Sequence, residues 1–179
     1  LRGRIAFIRP WQVAGLNHLA GDNDRTNLYL GAVLSVLIMR FGSTSTGIER
    51  TPDGRRLVLK RAVDAPPETV WDVLTDTDKW PVWGPSISAV DAETRYIEPG
   101  SSGRVRLLDT VWLPYEITSC SDYRWTWNVA RLDASGHFVW AQRDGAVVGF
   151  EVPVLATAYV PVCRRACRRI ARLSSERRE

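Results

Sequence analysis

The segment that most constrains the fold lies near the end of the chain, between Leu155 and Leu173. Apolar side chains recur there at alternating steps of four and three residues, a spacing that places them on one side of an α-helix. They are Tyr159, Cys163, Ala166, Ile170 and Leu173. The opposite side carries Arg164, Arg165, Arg168, Arg169 and Arg172. The pattern predicts one long amphipathic helix with a buried face and a solvated face.

Short segments with the alternation of strands precede this helix. Tyr123, Trp125 and Trp127, for example, alternate with polar residues, as expected of a strand with one buried face. The predicted strands are residues 55–63, 88–96, 103–108, 110–119, 123–132, 137–142 and 146–152. A run of strands followed by one long helix predicts a sheet wrapped around that helix.

Two short helices are predicted after the first of these strands. Pro67 suits the first position of a helix, and the apolar stripe of Val70, Trp71 and Leu74 follows it at helical spacing. Residues 75–85 offer helix caps and two tryptophans, which predicts a second short helical turn before the next strand.

The first fifty residues are predicted to be an extension of a domain that occupies residues 51–179. Leu28 to Met39 is almost wholly apolar, but it is shorter than the about 20 residues that a membrane-spanning helix needs. It is interpreted as a short helix packed on a partner, with a membrane-associated hairpin fragment as the alternative. Residues 41–53 are rich in Gly, Ser and Thr, which indicates a linker.

Positive charge is concentrated at the end of the chain. The net charge is +4, whereas residues 161–179 alone contain seven arginines and two glutamates, so the remainder is slightly acidic. A nucleic-acid-binding protein normally has a basic stripe on its main body, and no nucleic-acid partner is therefore predicted. The basic helix face is interpreted as a solvated surface, with a weak contact to an anionic membrane surface as the alternative.

The three cysteines, Cys120, Cys163 and Cys167, have no spacing typical of a disulfide framework. They are interpreted as small buried side chains of a protein in a reducing compartment, which predicts a cytoplasmic location. The only histidines are His18 and His137, and neither is near a cysteine pair in sequence, so no metal or other cofactor is predicted.

Two motifs follow the first predicted strand, VDAPPETVWDVLTD at residues 63–76 and WPVWGPS at residues 80–86. Together they resemble the opening of START-like (SRPBCC) proteins. Segments that resemble the polyketide cyclase/dehydrase-like branch of that superfamily occur at residues 124–127, 136–137 and 150–153.

The resemblance extends over about residues 55–175. It implies an α+β helix-grip fold, in which a curved antiparallel sheet is wrapped around a long C-terminal helix and two short helices follow the first strand. It also implies a deep apolar cavity between the sheet and the helix.

Aromatic and small side chains are expected to line that cavity. The predicted ligand-binding residues are Tyr115, Trp125, Trp127, His137, Tyr159, Cys163 and Ala166. Core packing is the alternative interpretation of the tryptophans. A buried Tyr115 hydroxyl needs a hydrogen-bond partner, and a ligand oxygen is one candidate.

No motif of a nucleophilic enzyme, nucleotide-binding loop or metal site is present in the sequence. Catalysis would therefore depend on acid–base chemistry by separate residues of the cavity, and the candidates are His137, Tyr115 and Glu151. A structural role is the alternative for His137. Glu151 alternates with Phe150 and Val152, so an outward-facing carboxylate is the alternative for that residue.

Two functions follow from these observations. The first is binding or carriage of an apolar small molecule, such as a lipid, a polyketide or an isoprenoid-like compound. The second is a polyketide cyclase or dehydratase that uses acid–base residues of the cavity. The lack of a clustered acid–base set favours the first. A partner-binding role for residues 28–39 is a third interpretation.

Overall fold

A computed structural model describes residues 44–176 of the chain. Within this range the strands are β1 (Thr44–Thr51), β2 (Gly54–Val63), β3 (Ile87–Ala92), β4 (Ser102–Leu107), β5 (Val111–Ser121), β6 (Arg124–Val129), β7 (Leu132–Asp133), β8 (Gly136–Gln142) and β9 (Gly145–Pro153). The α-helices are α1 (Pro67–Thr75), α2 (Trp80–Trp83) and α3 (Val160–Ser175). Two 3₁₀ segments, Thr77–Lys79 and Val154–Tyr159, precede α2 and α3.

The strands in the described part of the chain form one antiparallel sheet. Their order is β1-β2-β9-β8-β6-β5-β4-β3, and β7 pairs with β6. The pairing register shifts in β3 and in β5, and such bulges bend a strand and increase its twist. Helix α3 packs on β2 and β9, and the two shorter helices pack against α3. The architecture is the α+β helix-grip fold that the sequence predicts.

The two short helices are held together by tryptophan side chains. The indole nitrogen of Trp80 donates to the carbonyl of Leu74 at 2.9 Å, and that of Trp83 donates to the carbonyl of Val73 at 3.1 Å. Both tryptophans are buried, so their apolar rings reach the core while their N–H groups remain paired. The unpaired carbonyls at the end of α1 thereby fix the orientation of α2.

Helix α3 begins later than its apolar pattern indicates. The pattern extends back to Leu155, but residues 154–159 form a 3₁₀ segment and the α-helix begins at Val160. Pro161 explains the start, because proline has no N–H to donate and is tolerated only in the first turn of a helix. Ile170 is buried as predicted, whereas Leu173 is only half-buried and Tyr159 is 39% exposed.

The interpretation of residues 41–53 as a linker is wrong for the part that the structure describes. Residues 44–51 form β1, which pairs with β2 along its whole length, from Thr44 opposite Arg61 to Thr51 opposite Gly54. This edge strand is largely exposed, so it lacks the apolar alternation that identifies strands with one buried face. The short helices consequently follow the second strand, not the first.

The remainder of the predicted extension, including Leu28 to Met39, lies outside the described residues. The division of the chain into an extension and a domain stays a prediction. No helix in the described range is long and apolar enough to cross a membrane.

Candidate functional site

A small cavity lies between the sheet, α2 and the start of α3. Its lining consists of Trp83, Gly84, Pro85, Ser86, Ile87, Trp127, Ser135, His137, Phe150, Tyr159, Val162, Cys163 and Ala166. The space open to the centre of a water molecule is about 20 Å³, which suffices for about one water. The cavity is therefore much smaller than the deep one that the sequence resemblance implies.

Stacked aromatic rings account for the small volume. Trp125 lies parallel to Trp80 at a centroid distance of 5.4 Å, and on its other side parallel to His137 at 3.8 Å. Trp127 meets the rings of Trp80, Trp125 and His137 edge-on at 5.4, 5.6 and 6.1 Å. These rings fill the space behind the cavity wall.

His137 is the titratable group most affected by this packing. It is 1% exposed, and burial, helped by the positive field of Arg124, lowers its pKa to about 3. The imidazole is therefore neutral at physiological pH, with one nitrogen able to donate and the other able to accept. Nε2 lies 3.4 Å from the Ser135 hydroxyl oxygen, and Nδ1 has no hydrogen-bond partner in the part of the chain that the structure describes.

A second unpaired polar group belongs to the lining. The indole nitrogen of Trp127 is buried and lacks an acceptor among residues 44–176. Buried polar groups are normally hydrogen-bonded, because leaving a donor unpaired costs about 1–3 kcal/mol. Two lining residues, His137 and Trp127, thus each have a ring nitrogen without a hydrogen-bond partner among the described residues.

The mouth of the cavity is bridged by one hydrogen bond. The hydroxyl groups of Ser86 and Tyr159 are 2.6 Å apart, and both residues line the cavity. Ser86 lies in the loop after α2, and Tyr159 ends the 3₁₀ segment before α3. Burial of its hydroxyl raises the pKa of Tyr159, although the bond to Ser86 acts in the opposite direction. Enlarging the mouth would require this bond to break.

The structure brings most of the predicted ligand-binding residues together. Trp127, His137, Tyr159, Cys163 and Ala166 line the cavity. Tyr115 and Trp125 are buried but lie outside the lining, because the ring of Trp80 packs against both.

Tyr115 is nevertheless an unusual core residue. Its hydroxyl has no hydrogen-bond partner within the described range, and burial raises its pKa to about 12. The hydroxyl therefore stays protonated at neutral pH and is poorly suited to act as a base.

Glu151 lies away from the cavity. Its carboxylate forms an ion pair with Arg124 at 2.6 Å, and Arg124 also pairs with Asp53. Glu151 is buried despite facing away from the lining, because Arg124 and the adjacent Gly136 cover it. A buried carboxylate paired in this way has a structural role in the sheet and has no access to a ligand in the cavity.

The thiol in the lining is not activated. Burial raises the pKa of Cys163 to about 12 and also raises that of Cys167. Since the thiolate is the nucleophilic form of cysteine, both groups stay as inert thiols at neutral pH. Cys163 contributes surface to the cavity, not reactivity.

Several lining residues were not predicted from the sequence. Trp83 and residues 84–86 come from a helical turn and a loop, where neither strand alternation nor helical spacing indicates direction, and Ile87 begins β3 one residue before the predicted strand. Ser135 precedes the glycine at the start of β8, and its polar type gave no hint of burial. Phe150 could have been predicted from strand alternation, because it lies on the face of the strand opposite to Glu151.

A family model described as polyketide cyclase / dehydrase and lipid transport matches residues 54–174. The chain belongs to this family. The match runs from the start of β2 to the last turn of α3, so β1 is outside it. It confirms the START-like (SRPBCC) resemblance found in the sequence. The family description names two activities, an enzymatic one and a transport one, and does not choose between them.

Solved bacterial structures share the fold. Protein MLL2253 of Mesorhizobium loti has a TM-score of 0.56 at 14% identity, over 68% of this chain and 98% of its own. A Rhodobacter sphaeroides protein has a TM-score of 0.55 at 16% identity, over 75% of this chain and 99% of its own. Protein NE0264 of Nitrosomonas europaea has a TM-score of 0.53 at 16% identity, over 68% and 95%. Likeness at these identities shows the fold alone, and no curated protein matches the sequence significantly.

Proposed function

We propose that the protein binds an apolar small molecule, such as a lipid, a polyketide or an isoprenoid-like compound, between the sheet and α3. One observation carries the proposal: an aromatic cavity is lined by a fully buried, neutral imidazole with an unpaired nitrogen. Ligand sites combine apolar walls with a few polar groups that fix orientation. His137 supplies such a group for an oxygen of the ligand, and the indole N–H of Trp127 supplies a second donor.

Ligand entry requires the cavity to enlarge. Sites for drug-sized ligands have volumes of about 300–1,000 Å³, far above the present 20 Å³. The loop at residues 84–86 and the 3₁₀ segment at residues 154–159 form the two sides of the mouth. Their separation breaks the single Ser86–Tyr159 hydrogen bond, whose net contribution to stability is about 0.5–1.5 kcal/mol.

The chemistry of the lining favours a neutral ligand over a carboxylate. His137 is uncharged at neutral pH because its pKa is about 3, and Arg124 is already paired with Glu151 and Asp53. A buried anion without a cationic partner is strongly disfavoured. A ketone, phenol or alcohol, by contrast, uses the neutral imidazole without such a penalty.

The alternative function is a polyketide cyclase or dehydratase. The family description supports it, and His137 is the cavity residue able to accept a proton. An efficient acid–base catalyst has a pKa near the operating pH, and a pKa of about 3 is far from neutrality. The binding proposal therefore has more support from the side-chain chemistry.

Thermal shift and tryptophan emission with a panel of neutral aromatic ketones, phenols, acyl compounds and prenyl compounds test the proposal. A ligand present at a hundredfold excess over its dissociation constant stabilises the folded state by about 2.7 kcal/mol. The replacement Ala166→Leu fills the cavity from the α3 side and should remove the shift. The matched control is Ala141→Leu, at an exposed position of β8, which should keep it.

The replacement His137→Phe separates binding from catalysis. The ring stays stacked on Trp125, but both nitrogens are lost. Weaker binding of oxygen-bearing compounds, with unchanged binding of hydrocarbons, supports the polar anchor. Turnover of a cyclisable substrate by the wild type that disappears in His137→Phe, while binding stays intact, would establish the enzyme instead. The absence of both thermal shift and turnover across the panel would refute both functions.

The compartment is part of the same proposal. The cysteines in the described range, Cys120, Cys163 and Cys167, are free thiols, which supports a reducing, cytoplasmic environment.

A further inference from the structure

Exposed apolar side chains occur on the segments on both sides of the cavity mouth. Leu155 is fully exposed, Val82 is 52% exposed and Val154 is 43% exposed. Val154 and Leu155 open the 3₁₀ segment that ends in Tyr159, and Val82 lies in α2 close to Ser86. The Ser86–Tyr159 hydrogen bond ties these two segments together. We call Val82, Val154 and Leu155 the apolar rim.

A stripe of arginines on α3 adjoins the apolar rim. Arg164, Arg165, Arg168 and Arg172 are exposed and Arg169 is half-buried. Arg169 donates to the carbonyl of Val82 at 3.3 Å, so the arginine stripe and the rim meet at α2.

Several arginines elsewhere in the described range are paired with carboxylates. Arg95 and Arg104, for example, pair with Asp76 and Asp91. Within residues 44–176, none of the five arginines of α3 forms an ion pair with a carboxylate. Arg164 and Arg169 donate only to the neutral oxygens of Thr46 and Val82. Among the described residues the stripe is therefore a positive surface without paired carboxylates, and it is complementary to an anionic partner.

We propose that the arginine stripe and the apolar rim together dock the protein on an anionic lipid surface. Arginines attract acidic head groups, and exposed leucine and valine side chains insert at the boundary between head groups and acyl chains. Single-stranded nucleic acid would also be attracted by the arginines, but its bases are bound by stacking on aromatic rings. Leu155 and the two valines of the rim provide no such platform, whereas a lipid surface uses them directly.

The geometry also places the cavity mouth at the docked surface. Ser86 and Tyr159 line the cavity, and each lies four residues after a member of the apolar rim, Val82 or Leu155. Insertion of Leu155 therefore brings the bridging hydrogen bond close to the lipid boundary. The docking proposal goes beyond ligand binding and does not depend on it, because it rests on exposed residues outside the lining.

Sedimentation of the full chain with vesicles tests the proposal. We expect binding to vesicles of phosphatidylcholine with phosphatidylglycerol, weak or no binding to phosphatidylcholine alone, and a steep loss as salt rises, because exposed charges are screened within about 8–10 Å at physiological salt. No binding to the anionic vesicles, or equal binding to both compositions, would overturn it.

Charge reversal identifies the surface that binds. The double variant Arg165→Glu, Arg168→Glu should lower the vesicle partition coefficient by roughly 25-fold or more, because each basic residue near an anionic membrane contributes roughly a factor of five. The matched control reverses Arg131 and Arg143, which are exposed in the β6–β7 and β8–β9 turns. It changes the net charge equally and should bind nearly as the wild type does. Equal losses in the two variants would overturn the assignment to α3.

A substitution at Leu155 tests the apolar rim and discriminates lipid from nucleic acid. Leu155→Asp should lower vesicle binding about tenfold, since burial of a leucine side chain is lost, while Leu132→Asp, at another exposed leucine, should not. Both variants should have the melting temperature of the wild type, because both sites are exposed. Unchanged vesicle binding by Leu155→Asp, or tighter binding of single-stranded RNA or DNA than of anionic vesicles, would overturn the proposal.

Discussion

At the scale of the residue, His137 shows how burial changes what a side chain can do. Stacking on Trp125 at 3.8 Å removes the imidazole from water, and the lowered pKa keeps it neutral. A histidine that sequence alone presents as a proton-transfer candidate thus becomes a neutral hydrogen-bonding group. The sequence pattern identified His137 as a candidate but did not predict its protonation state. Strand alternation does not predict which rings of other strands stack on a side chain.

The burial of His137 should make the free energy of unfolding depend on pH. Its pKa falls from 6.5 in the unfolded chain to about 3 in the folded one, so between these values the unfolded state binds a proton that the native state does not. Stability should therefore fall as pH falls through this window, by up to about 1.4 kcal/mol per pH unit, and this contribution should be flat above pH 6.5. In His137→Phe the contribution disappears. Denaturant unfolding from pH 7 to pH 4 measures it, and identical slopes in the two proteins would contradict the burial of a neutral imidazole.

At the scale of the element, α3 was the best predicted part of the fold. Its apolar spacing correctly identified Cys163, Ala166 and Ile170 as buried. The same spacing wrongly extended the helix to Leu155, because periodicity does not register that Pro161 can occupy only the first turn. The edge strand β1 was missed for the opposite reason: its side chains are mostly exposed, so it has no apolar period to detect.

Alanine substitutions on the two faces of α3 should differ in their effect on the free energy of unfolding. Ile170→Ala should cost about 2–5 kcal/mol, as removal of buried methyl groups does. Arg168→Ala should cost about 0.5 kcal/mol or less, as changes at exposed sites do. Free energies of unfolding from denaturant titration compare them, and similar losses would contradict the amphipathic assignment.

The segments at the cavity mouth should behave as a gate. Tyr159→Phe keeps the ring but removes the 2.6 Å hydrogen bond to Ser86, so opening becomes easier by about 0.5–1.5 kcal/mol. We expect faster association of panel ligands in stopped-flow tryptophan fluorescence. Ser86→Ala should match Tyr159→Phe, since it removes the same bond from the other side. Wild-type association rates in both variants would show that ligands enter elsewhere.

At the scale of the whole molecule, the sheet extends beyond the segment that the family model matches. The family match starts at residue 54, but β1 adds eight residues paired with β2 before that point. The helix-grip architecture was predictable because its motifs and its strand–helix order are readable along the chain. The closed state of the cavity was not, because it depends on how Trp80, Trp125 and His137 stack across three elements.

Truncation should locate the boundary. A chain beginning at Thr44 should melt cooperatively, since every described strand is retained. A chain beginning at Gly54 should be less stable, because β2 then becomes an unpaired edge. Denaturant midpoints compare the two chains. Equal midpoints would show that β1 adds nothing, and a non-cooperative melt of the longer chain would show that residues 1–43 belong to the core.

The most direct test of the central claim is a crystal structure with the panel compound that gives the largest thermal shift. The account predicts the compound between the sheet and α3, with a polar atom within hydrogen-bond distance of His137 and with the Ser86–Tyr159 bond broken. A compound bound elsewhere while this cavity stays closed would contradict it.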